Sequence, residues 1–242
     1  MRQYAWRQVA IAGLALLLVG MATRLVVAQR VAAVTTAQLQ ESRRWLAGTV
    51  IVLDPGHGGD DPGAVVGSTV EKHIVLDIAK MLKQLLEEQG ARVVLTREAD
   101  VDLGGRIREE LGRRVAMVDE HKAHVYVSIH ANKDGCHCWG AQTFYQKNGM
   151  PAGKELAVAI QNRLRAMTPT TRVPLSADYF VLRTSPVPAA MVEVGFLTNA
   201  RERGQLQEPA YQRTVATAIA LGLADYFKGQ VPQARSEGQI GQ

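Results

Sequence analysis

The sequence predicts an α/β domain whose sheet is mainly parallel and is covered by helices on both faces. Short apolar runs rich in β-branched residues alternate along the chain with longer segments in which apolar residues recur at helical spacing. The short runs are continuous, without the polar alternation of a strand that has one wet face. Since parallel strands need crossover connections, and these are usually helices, the two alternating patterns predict this fold class.

The predicted strands begin with Thr49–Leu53, a β-branched run that stops at a glycine-rich loop. Four further segments have strand character, at 92–96, 125–129, 140–145 and 190–194. Ligands of open α/β sheets gather beyond the carboxyl ends of the strands. The loops that follow Leu53 and Ile129 are therefore the first places to look for a functional site.

The predicted helices lie between and after these strands. Apolar residues from Ile74 to Leu86 recur at helical spacing, and Gly90 then supplies a helix stop. The same periodicity predicts three more helices, at about 106–121, 156–167 and 211–227. Helices of this kind are the usual crossover connections between parallel strands.

The composition favours one globular domain with appendages. The chain has 242 residues, of which 47% are hydrophobic and 21% are charged, and it shows no internal repeat. Two cysteines are too few for a small domain held together by disulfides. We expect the folded domain over residues 49–227, preceded by a polar linker at 29–48 and followed by a flexible tail at 228–242.

Residues 1–28 have the pattern of an export signal. Arg2 and Arg7 precede an unbroken apolar run, Val9–Ala22, which is shorter than the ~20 residues that a helix needs to cross a bilayer. Val26–Ala28 resembles a cleavage site, so we expect a cleaved signal peptide. The alternative is an uncleaved membrane anchor. Both place the domain outside the cytoplasm, either secreted or tethered to the membrane.

The charge balance favours an anionic partner. Lys and Arg total 28 against 23 Asp and Glu, the formal net charge is +5, and the sequence pI is about 9.4. Nucleic acid is one anionic polymer, but the export signal and the lack of a basic motif interleaved with aromatic residues argue against it. A cell-wall polymer or a membrane surface fits an exported protein better.

Two histidines follow predicted strands. His57 lies in the loop after the first strand, and His130 comes directly after the strand that ends at Ile129. Glu71 stands just before the apolar positions of the next helix. Two imidazoles and a carboxylate form a ligand set for a catalytic zinc ion, which keeps its fourth position for water. Taken singly, each residue also has an ordinary explanation, such as a surface histidine or a carboxylate in the first turn of a helix.

A carboxylate inside an apolar strand is the candidate catalytic group. Glu193 lies in the predicted strand 190–194, where a charge is costly unless it is paired or faces a cavity. Beside a metal ion it can take a proton from water and pass it to a leaving amine. The alternative is a buried ion pair with Arg183 or Arg114.

Asp54 is the candidate for orienting the first histidine. It lies in the same loop as His57, and we expect it either to accept the free N–H of a metal-bound imidazole or to cap the loop. Further along the chain, Cys136-His137-Cys138 offers more ligand-type side chains. Three consecutive residues converge poorly on one tetrahedral ion, and a disulfide across one residue would be strained. We therefore expect an exposed loop there, without a second metal.

Four segments resemble the signature motifs of one enzyme family. In chain order they are IVLDPGHGGDDPGA, Glu71-Lys72, VYVSIHAN and MVEVGFLTN. Together they are similar to the motifs of zinc-dependent N-acetylmuramoyl-L-alanine amidases of the amidase-3 family. The resemblance covers about Thr49 to Phe227 and implies an amidase-3-like fold for this domain.

The resemblance also implies an activity. It implies one Zn²⁺ per chain, held by His57, Glu71 and His130, with Glu193 as the catalytic carboxylate. The substrate is then peptidoglycan, cut at the amide bond between N-acetylmuramic acid and L-alanine. Three further positions are expected behind the metal ligands or against the substrate, namely Asp54, Arg114 and Asn132.

A narrower resemblance lies in GAQTFY and DYFVLR. These segments are most similar to germination-specific amidases of endospore formers, which act on spore-cortex peptidoglycan. This implies a role in sporulation and germination and a location in the spore envelope. The candidate protein partners are a polysaccharide deacetylase, which completes formation of the muramic δ-lactam, and an accessory activator.

Other functions remain open on the sequence alone. One is a catalytically silent wall-binding or activator module, which the loss of Glu193 or of a ligand would favour, and none of these residues is lost. The other is a different zinc peptidoglycan hydrolase, such as a carboxypeptidase or deacetylase. The new chemical termini in digested peptidoglycan distinguish these enzymes.

Overall fold

The computed structural model describes residues 21, 33–134 and 138–230. Almost all of the proposed signal peptide and most of the proposed tail lie outside the described residues. Within the described ranges, every helix is too short or too polar to span a bilayer.

The chain divides into two units, residues 1–41 and 42–242. The described residues 33–46 are helical (α1), and residues 42–46 belong to the second unit. Of these residues, Ser42 and Leu46 are buried. They are four residues apart and therefore share one helix face. The packed unit thus begins several residues before Thr49, the predicted start of the domain.

In the part of the chain that the structure describes, six strands form the main sheet and two form a separate hairpin. In chain order the strands are Val50–Pro55 (β1), Val65–Val66 (β2), Thr69–Val70 (β3), Arg92–Leu95 (β4), Val125–Asn132 (β5), Gln142–Gln146 (β6), Leu175–Ala177 (β7) and Ala189–Phe196 (β8). The main sheet has the order β4-β1-β5-β8-β6-β7, and β2 pairs with β3. Every pairing in the main sheet is parallel except that of β6 with β8. The prediction of a mainly parallel sheet is confirmed.

Helices cover both faces of this sheet. After α1 they are Glu71–Glu88 (α2), Ile107–His121 (α3), Pro151–Met167 (α4), Phe180–Thr184 (α5), Ala200–Leu206 (α6) and Pro209–Gln230 (α7). Helix α7 packs against both α2 and α4, which also contact the sheet. Helices α3 and α5 pack together on the opposite face, around an apolar cluster that includes Val52, Tyr126 and Met191.

The prediction of a linker over 29–48 is wrong for residues 33–46, which form helix α1. The other elements that the sequence analysis missed are short. The hairpin strands β2 and β3 have two residues each, β7 has three, α5 has five and α6 has seven. Such segments do not complete enough periods for a hydrophobic pattern to appear. The elements that were predicted match their predicted positions to within a few residues, because burial on one or both faces fixes their composition.

Candidate metal and active site

Three ligand-type side chains come together at the carboxyl edge of the sheet. His57 follows β1, His130 lies near the end of β5, and Glu71 is the first residue of α2. Strands β1 and β5 are parallel neighbours, so their ends present both imidazoles to the same place. One nitrogen or oxygen atom from each residue lies within 4.8 Å of the others.

The distances within this cluster suit a metal ion. Oε1 of Glu71 lies 3.2 Å from Nε2 of His57 and 3.0 Å from Nδ1 of His130. Tetrahedral zinc with bonds of 2.0–2.1 Å places its ligand atoms about 3.3 Å apart. Both measured distances are within a few tenths of an ångström of this spacing, so the carboxylate and each imidazole are placed as ligands of one ion would be.

Glu71 is held as a carboxylate. Its Oε1 accepts the N–H of Ala131 at 2.9 Å, and its Oε2 accepts the N–H of Ala64 at 2.8 Å. Burial by itself raises the pKa of this carboxyl, but hydrogen bonds from His130 and His57, together with their charges, hold the pKa well below its usual range. The side chain is ionised and fixed before any ligand arrives.

Asp61 orients the first histidine. Nδ1 of His57 donates to Oδ2 of Asp61 at 2.7 Å, which leaves Nε2 directed toward Glu71. Burial lowers the pKa of His57, but the hydrogen bond and charge of Glu71, with a further contribution from Asp61, raise it to about 9. The cluster thus attracts positive charge, and a divalent cation would supply it.

Asp54 does not play the role expected of it. Its carboxylate accepts hydrogen bonds from four side chains and none of them is an imidazole: Arg114 at 2.8 Å, Thr96 at 2.6 Å, Tyr126 at 2.5 Å and Ser128 at 2.9 Å. Burial raises its pKa, but the charge of Arg114 and these hydrogen bonds outweigh burial and lower it. Asp54 is therefore an internal tie between β1 and its neighbours, because its side chain points into the fold.

Arg114 supports the loop that carries His57. It pairs with Asp54 and with Glu110, and it donates to the carbonyl oxygen of His57 at 2.7 Å. The expected alternative, an ion pair between Arg114 or Arg183 and Glu193, is wrong. Arg114 is engaged as described, and Arg183 pairs with Asp178 at 2.6 Å.

Glu193 is buried beside the cluster and keeps one oxygen free. It lies opposite His130 in the pairing of β5 with β8. Its Oε2 is buried and has no hydrogen-bond partner among the described residues. Burial is the main reason that its pKa rises to about 7; the charge of Glu71 adds to this, and the two imidazoles oppose it. A carboxyl with this pKa exchanges a proton readily near neutral pH.

A cleft of about 260 Å³ gives access to these groups. His57, His130 and Glu193 line its polar side. Four more charged residues also contribute to the lining, Asp54, Asp61, Glu110 and Arg114. An apolar wall faces them, formed by Ile107, Leu111, Tyr179, Phe180, Val181 and Met191. Ile107 is 73% exposed, so the apolar wall reaches the surface. The cleft can accept a substrate with both polar and apolar parts.

Two glycines allow this close packing. A Cβ at Gly56 would lie 2.1 Å from Cε1 of His130. A Cβ at Gly63 would lie 2.6 Å from Cδ2 of His57 and 2.7 Å from Oε2 of Glu71, and the φ of Gly63 is +67°. Any other residue at either position would displace a candidate ligand.

Two remaining predictions concern the end of β5 and the loop beyond it. Asn132 contributes its carbonyl oxygen, which accepts the N–H of Leu197 at 2.9 Å and ties β5 to the end of β8. Cys138 is disulfide-bonded, contrary to the argument that strain disfavours a disulfide here. Residues 135–137 lie outside the described part of the chain.

Two residues of the site were missed by the sequence analysis, Asp61 and Arg97. Asp61 lies four residues after His57 in the same loop, where a carboxylate can reach back to the ring. Arg97 comes two residues after β4, the neighbour of β1, and donates to the carbonyl of Gly56 at 2.8 Å. The rule that strand ends meet at one edge applies to β4 as well and would have indicated Arg97.

These features define a class of enzyme, a hydrolase with a His-Glu-His cluster and a buried carboxylate at the edge of an α/β sheet. The chain belongs to the Amidase_3 family, described as N-acetylmuramoyl-L-alanine amidase, whose profile matches residues 51–225. It is therefore an amidase whose substrate is peptidoglycan.

Characterised relatives agree with this assignment. The germination-specific N-acetylmuramoyl-L-alanine amidase of Bacillus subtilis is 39% identical over 201 residues, which cover 78% of this chain and 84% of that relative. The CwlD amidase from Clostridioides difficile, solved in complex with the GerS lipoprotein, is 35% identical with a TM-score of 0.72, covering 75% of this chain and 100% of that one. The catalytic domain of CwlV from Bacillus (Paenibacillus) polymyxa var. colistinus is 34% identical with a TM-score of 0.68, covering 74% and 98%.

Proposed function

We propose that this enzyme uses one zinc ion, held by His57, Glu71 and His130, to hydrolyse the amide bond between N-acetylmuramic acid and L-alanine, and that Glu193 is its catalytic carboxylate. The observation that carries the proposal is the unpartnered Oε2 of Glu193, buried beside a cluster with the spacing of metal ligands. No ion pair to Glu193 is found among the described residues, so a structural role does not account for this buried carboxyl.

The chain's own residues divide the work of this reaction. When bound, zinc supplies Lewis-acid activation of the attacking water and of the scissile carbonyl. Glu193 accepts a proton from the water at its free Oε2 and then passes it to the nitrogen of L-alanine, so that the peptide leaves as an amine. Asp61 and Glu71 keep the imidazole of His57 in one orientation throughout.

The first experiment measures bound metal. Purified protein is expected to contain one zinc per chain, and His130→Ala to lose most of it, because two ligands hold zinc poorly. His73→Ala is the matched control, since the side chain of His73 is 57% exposed and lies outside the cluster. Undiminished stoichiometric zinc in His130→Ala would contradict the ligand set.

The second experiment identifies the bond that is cut. Purified peptidoglycan digested by the enzyme should gain free L-alanine amino groups and lactyl carboxyl groups in equal amounts. A carboxypeptidase would instead release free amino acids from the end of the stem peptide, and a deacetylase would release acetate. Either of those products would contradict the proposed reaction.

We also propose that the enzyme is exported and acts on spore-cortex peptidoglycan, with an accessory protein and a polysaccharide deacetylase as partners. The support is the similarity to a germination-specific amidase and to an amidase solved with a lipoprotein. A spore former that lacks its own germination amidase provides the test. Expression of this chain there should restore muramic δ-lactam to the cortex, and Glu193→Gln should not.

A further inference from the structure

Arg97 lies beside the candidate metal site without lining its cleft. Its side chain is buried. Its hydrogen-bond acceptors include three main-chain carbonyls within two residues of a candidate ligand, those of Pro55 at 3.0 Å, Gly56 at 2.8 Å and Lys72 at 2.8 Å. The first ends β1, the second begins the loop of His57, and the third belongs to the first turn of α2, next to Glu71. One guanidinium therefore joins the main chains that carry two ligands.

Arg114 holds the same loop from a second direction. It donates to the carbonyl of Pro55 at 3.0 Å, so both guanidinium groups bind one oxygen. Two neighbouring cations repel each other, and the pKa of Arg97 is lowered first by burial and then by the charge of Arg114. Asp54 and Asp100 oppose that lowering. The two guanidinium groups lie close together because both donate hydrogen bonds to the same stretch of main chain, the three consecutive carbonyls of residues 55–57.

The loop needs this support because its backbone is strained. His57 has a φ of 63°, a conformation that residues other than glycine seldom adopt. The loop also leaves the sheet here, since the last contact of its main chain with β5 is the hydrogen bond from Gly56 N–H to the carbonyl of Ile129. Beyond that point, the carbonyls of Gly56 and His57 accept hydrogen bonds from arginine side chains instead of from a neighbouring strand.

We propose that Arg97 is a positioning residue of the metal site. It fixes the separation between the His57 loop and the start of α2, and so holds Nε2 of His57 and Oε1 of Glu71 at the distance of metal ligands before the metal binds. Holding ligands in place beforehand raises affinity because less order must be imposed on binding. The inference rests on the proposed function, in that zinc is the metal.

The test compares zinc affinity with the stability of the metal-free protein. Zinc chloride is titrated against a chromophoric chelator, and urea unfolding is measured in EDTA. Arg97→Gln should weaken zinc binding by about 10–100-fold, the range typical of residues that support metal ligands. The zinc affinity of Arg97→Lys should lie between those of the wild type and Arg97→Gln, because an ammonium group cannot reach all three carbonyls with fixed geometry. The visible spectrum of the Co²⁺-substituted protein should change in both variants.

Arg163→Gln is the matched control. Arg163 forms a partly buried ion pair with Asp225 between α4 and α7, outside the cleft lining. This variant should lose stability and keep its zinc affinity. The inference would be overturned if Arg97→Gln and Arg97→Lys both bound zinc with an affinity within about threefold of that of the wild type. If Arg97→Gln fails to fold, the zinc affinity of Arg97→Lys alone decides the test. Failure of the wild type itself to bind zinc would instead overturn the proposed function.

Discussion

At the scale of single residues, Glu193 shows how one side chain can be buried, free and reactive. Strand β8 is buried along its whole length, so the carboxyl loses most of its hydration. Burial raises its pKa to about 7, and its Oε2 keeps no partner among the described residues. A bound divalent cation would favour the ionised form and lower this pKa. The group would then be an ionised base at neutral pH.

Replacing this carboxyl tests its role directly. Glu193→Gln should keep its zinc and lose turnover by about 10²–10⁴-fold, as expected for the loss of a general base. Zinc content and the release of L-alanine amino groups are measured on the same preparation. Gln205→Glu is the control, because this residue lies on α6 and the substitution leaves the cleft unchanged. Gln142→Glu is unsuitable, because Gln142 lies opposite Glu193 in the sheet and the substitution would add a charge there. If Glu193→Gln instead lost zinc in proportion to its loss of activity, Glu193 would be identified as a metal ligand.

Gly56 is a second residue whose size matters to the site. Gly56→Ala places a methyl group 2.1 Å from Cε1 of His130, so the ring must move. Zinc affinity should fall by at least about tenfold. Gly112→Ala is the control, because a Cβ at Gly112 meets nothing within 4 Å. Equal zinc affinities for the two variants, measured by chelator competition, would contradict the close packing of Gly56 on the ring.

At the scale of elements, the buried pair of Asp54 and Arg114 fastens strand β1 to helix α3. Both side chains are about 2% exposed. Tyr126 and Ser128 on β5, and Thr96 just after β4, complete the hydrogen bonds of the carboxylate. A single residue thus connects three adjacent strands and one helix at the base of the His57 loop. Removing one member of such a pair leaves the other charged and buried.

This tie makes stability depend on pH. Asp54→Asn should lower the free energy of unfolding at pH 7 by about 3–5 kcal/mol, because Arg114 loses its buried partner. The folded pKa of Asp54 lies below its unfolded value of about 3.9. Its contribution is therefore complete above that value and declines as the pH falls through the folded pKa. The difference between wild type and variant in urea unfolding should shrink with acidification.

A second Asp–Arg pair provides the control for this prediction. Asp225 pairs with Arg163, but its side chain is 39% exposed. Solvent screens exposed pairs, so Asp225→Asn should cost no more than about 1 kcal/mol and change little with pH. Equal losses for Asp54→Asn and Asp225→Asn would contradict the importance of burial.

At the scale of the whole molecule, helical segments from both ends of the packed unit contact each other. Leu46, in the last turn of α1, has no exposed surface. Trp45, beside it, has its ring 5.9 Å from Nζ of Lys228, near the end of α7. Both segments lie outside the domain limits of 49–227 that the sequence indicated. The folded unit therefore extends beyond the predicted range at both ends.

Truncation tests this boundary. A chain that begins at residue 49 should be less stable than one that begins at residue 42 by about 2–3 kcal/mol, the value of burying one leucine. Leu46→Ala in the longer chain should reproduce most of the loss. Both chains should bind zinc equally when folded, because residues 42–48 do not line the cleft. Equal urea midpoints for the two chains would show that this turn contributes nothing.

Much of the fold and site could be predicted, for two physical reasons. The strands β1 and β5 and the helix α2 are long enough for periodicity to reveal them, and parallel strands bring their carboxyl ends to one edge. That geometry alone indicated that His57 and His130 would meet. The roles of Asp54 and Asp61 were harder to separate, because both are carboxylates near one histidine and only side-chain direction distinguishes them.

The sequence by itself determined the class of fold, the order of the long elements and the identity of the chemical groups at the sheet edge. Only the tertiary structure decided which groups touch. It directed Asp54 inward to Arg114, gave Asp61 to His57, left an oxygen of Glu193 free and brought Arg97 onto the loop. The physical reason is that composition and periodicity report burial, which acts along one element, whereas hydrogen bonds and ion pairs depend on ångström-scale distances between residues far apart in the chain.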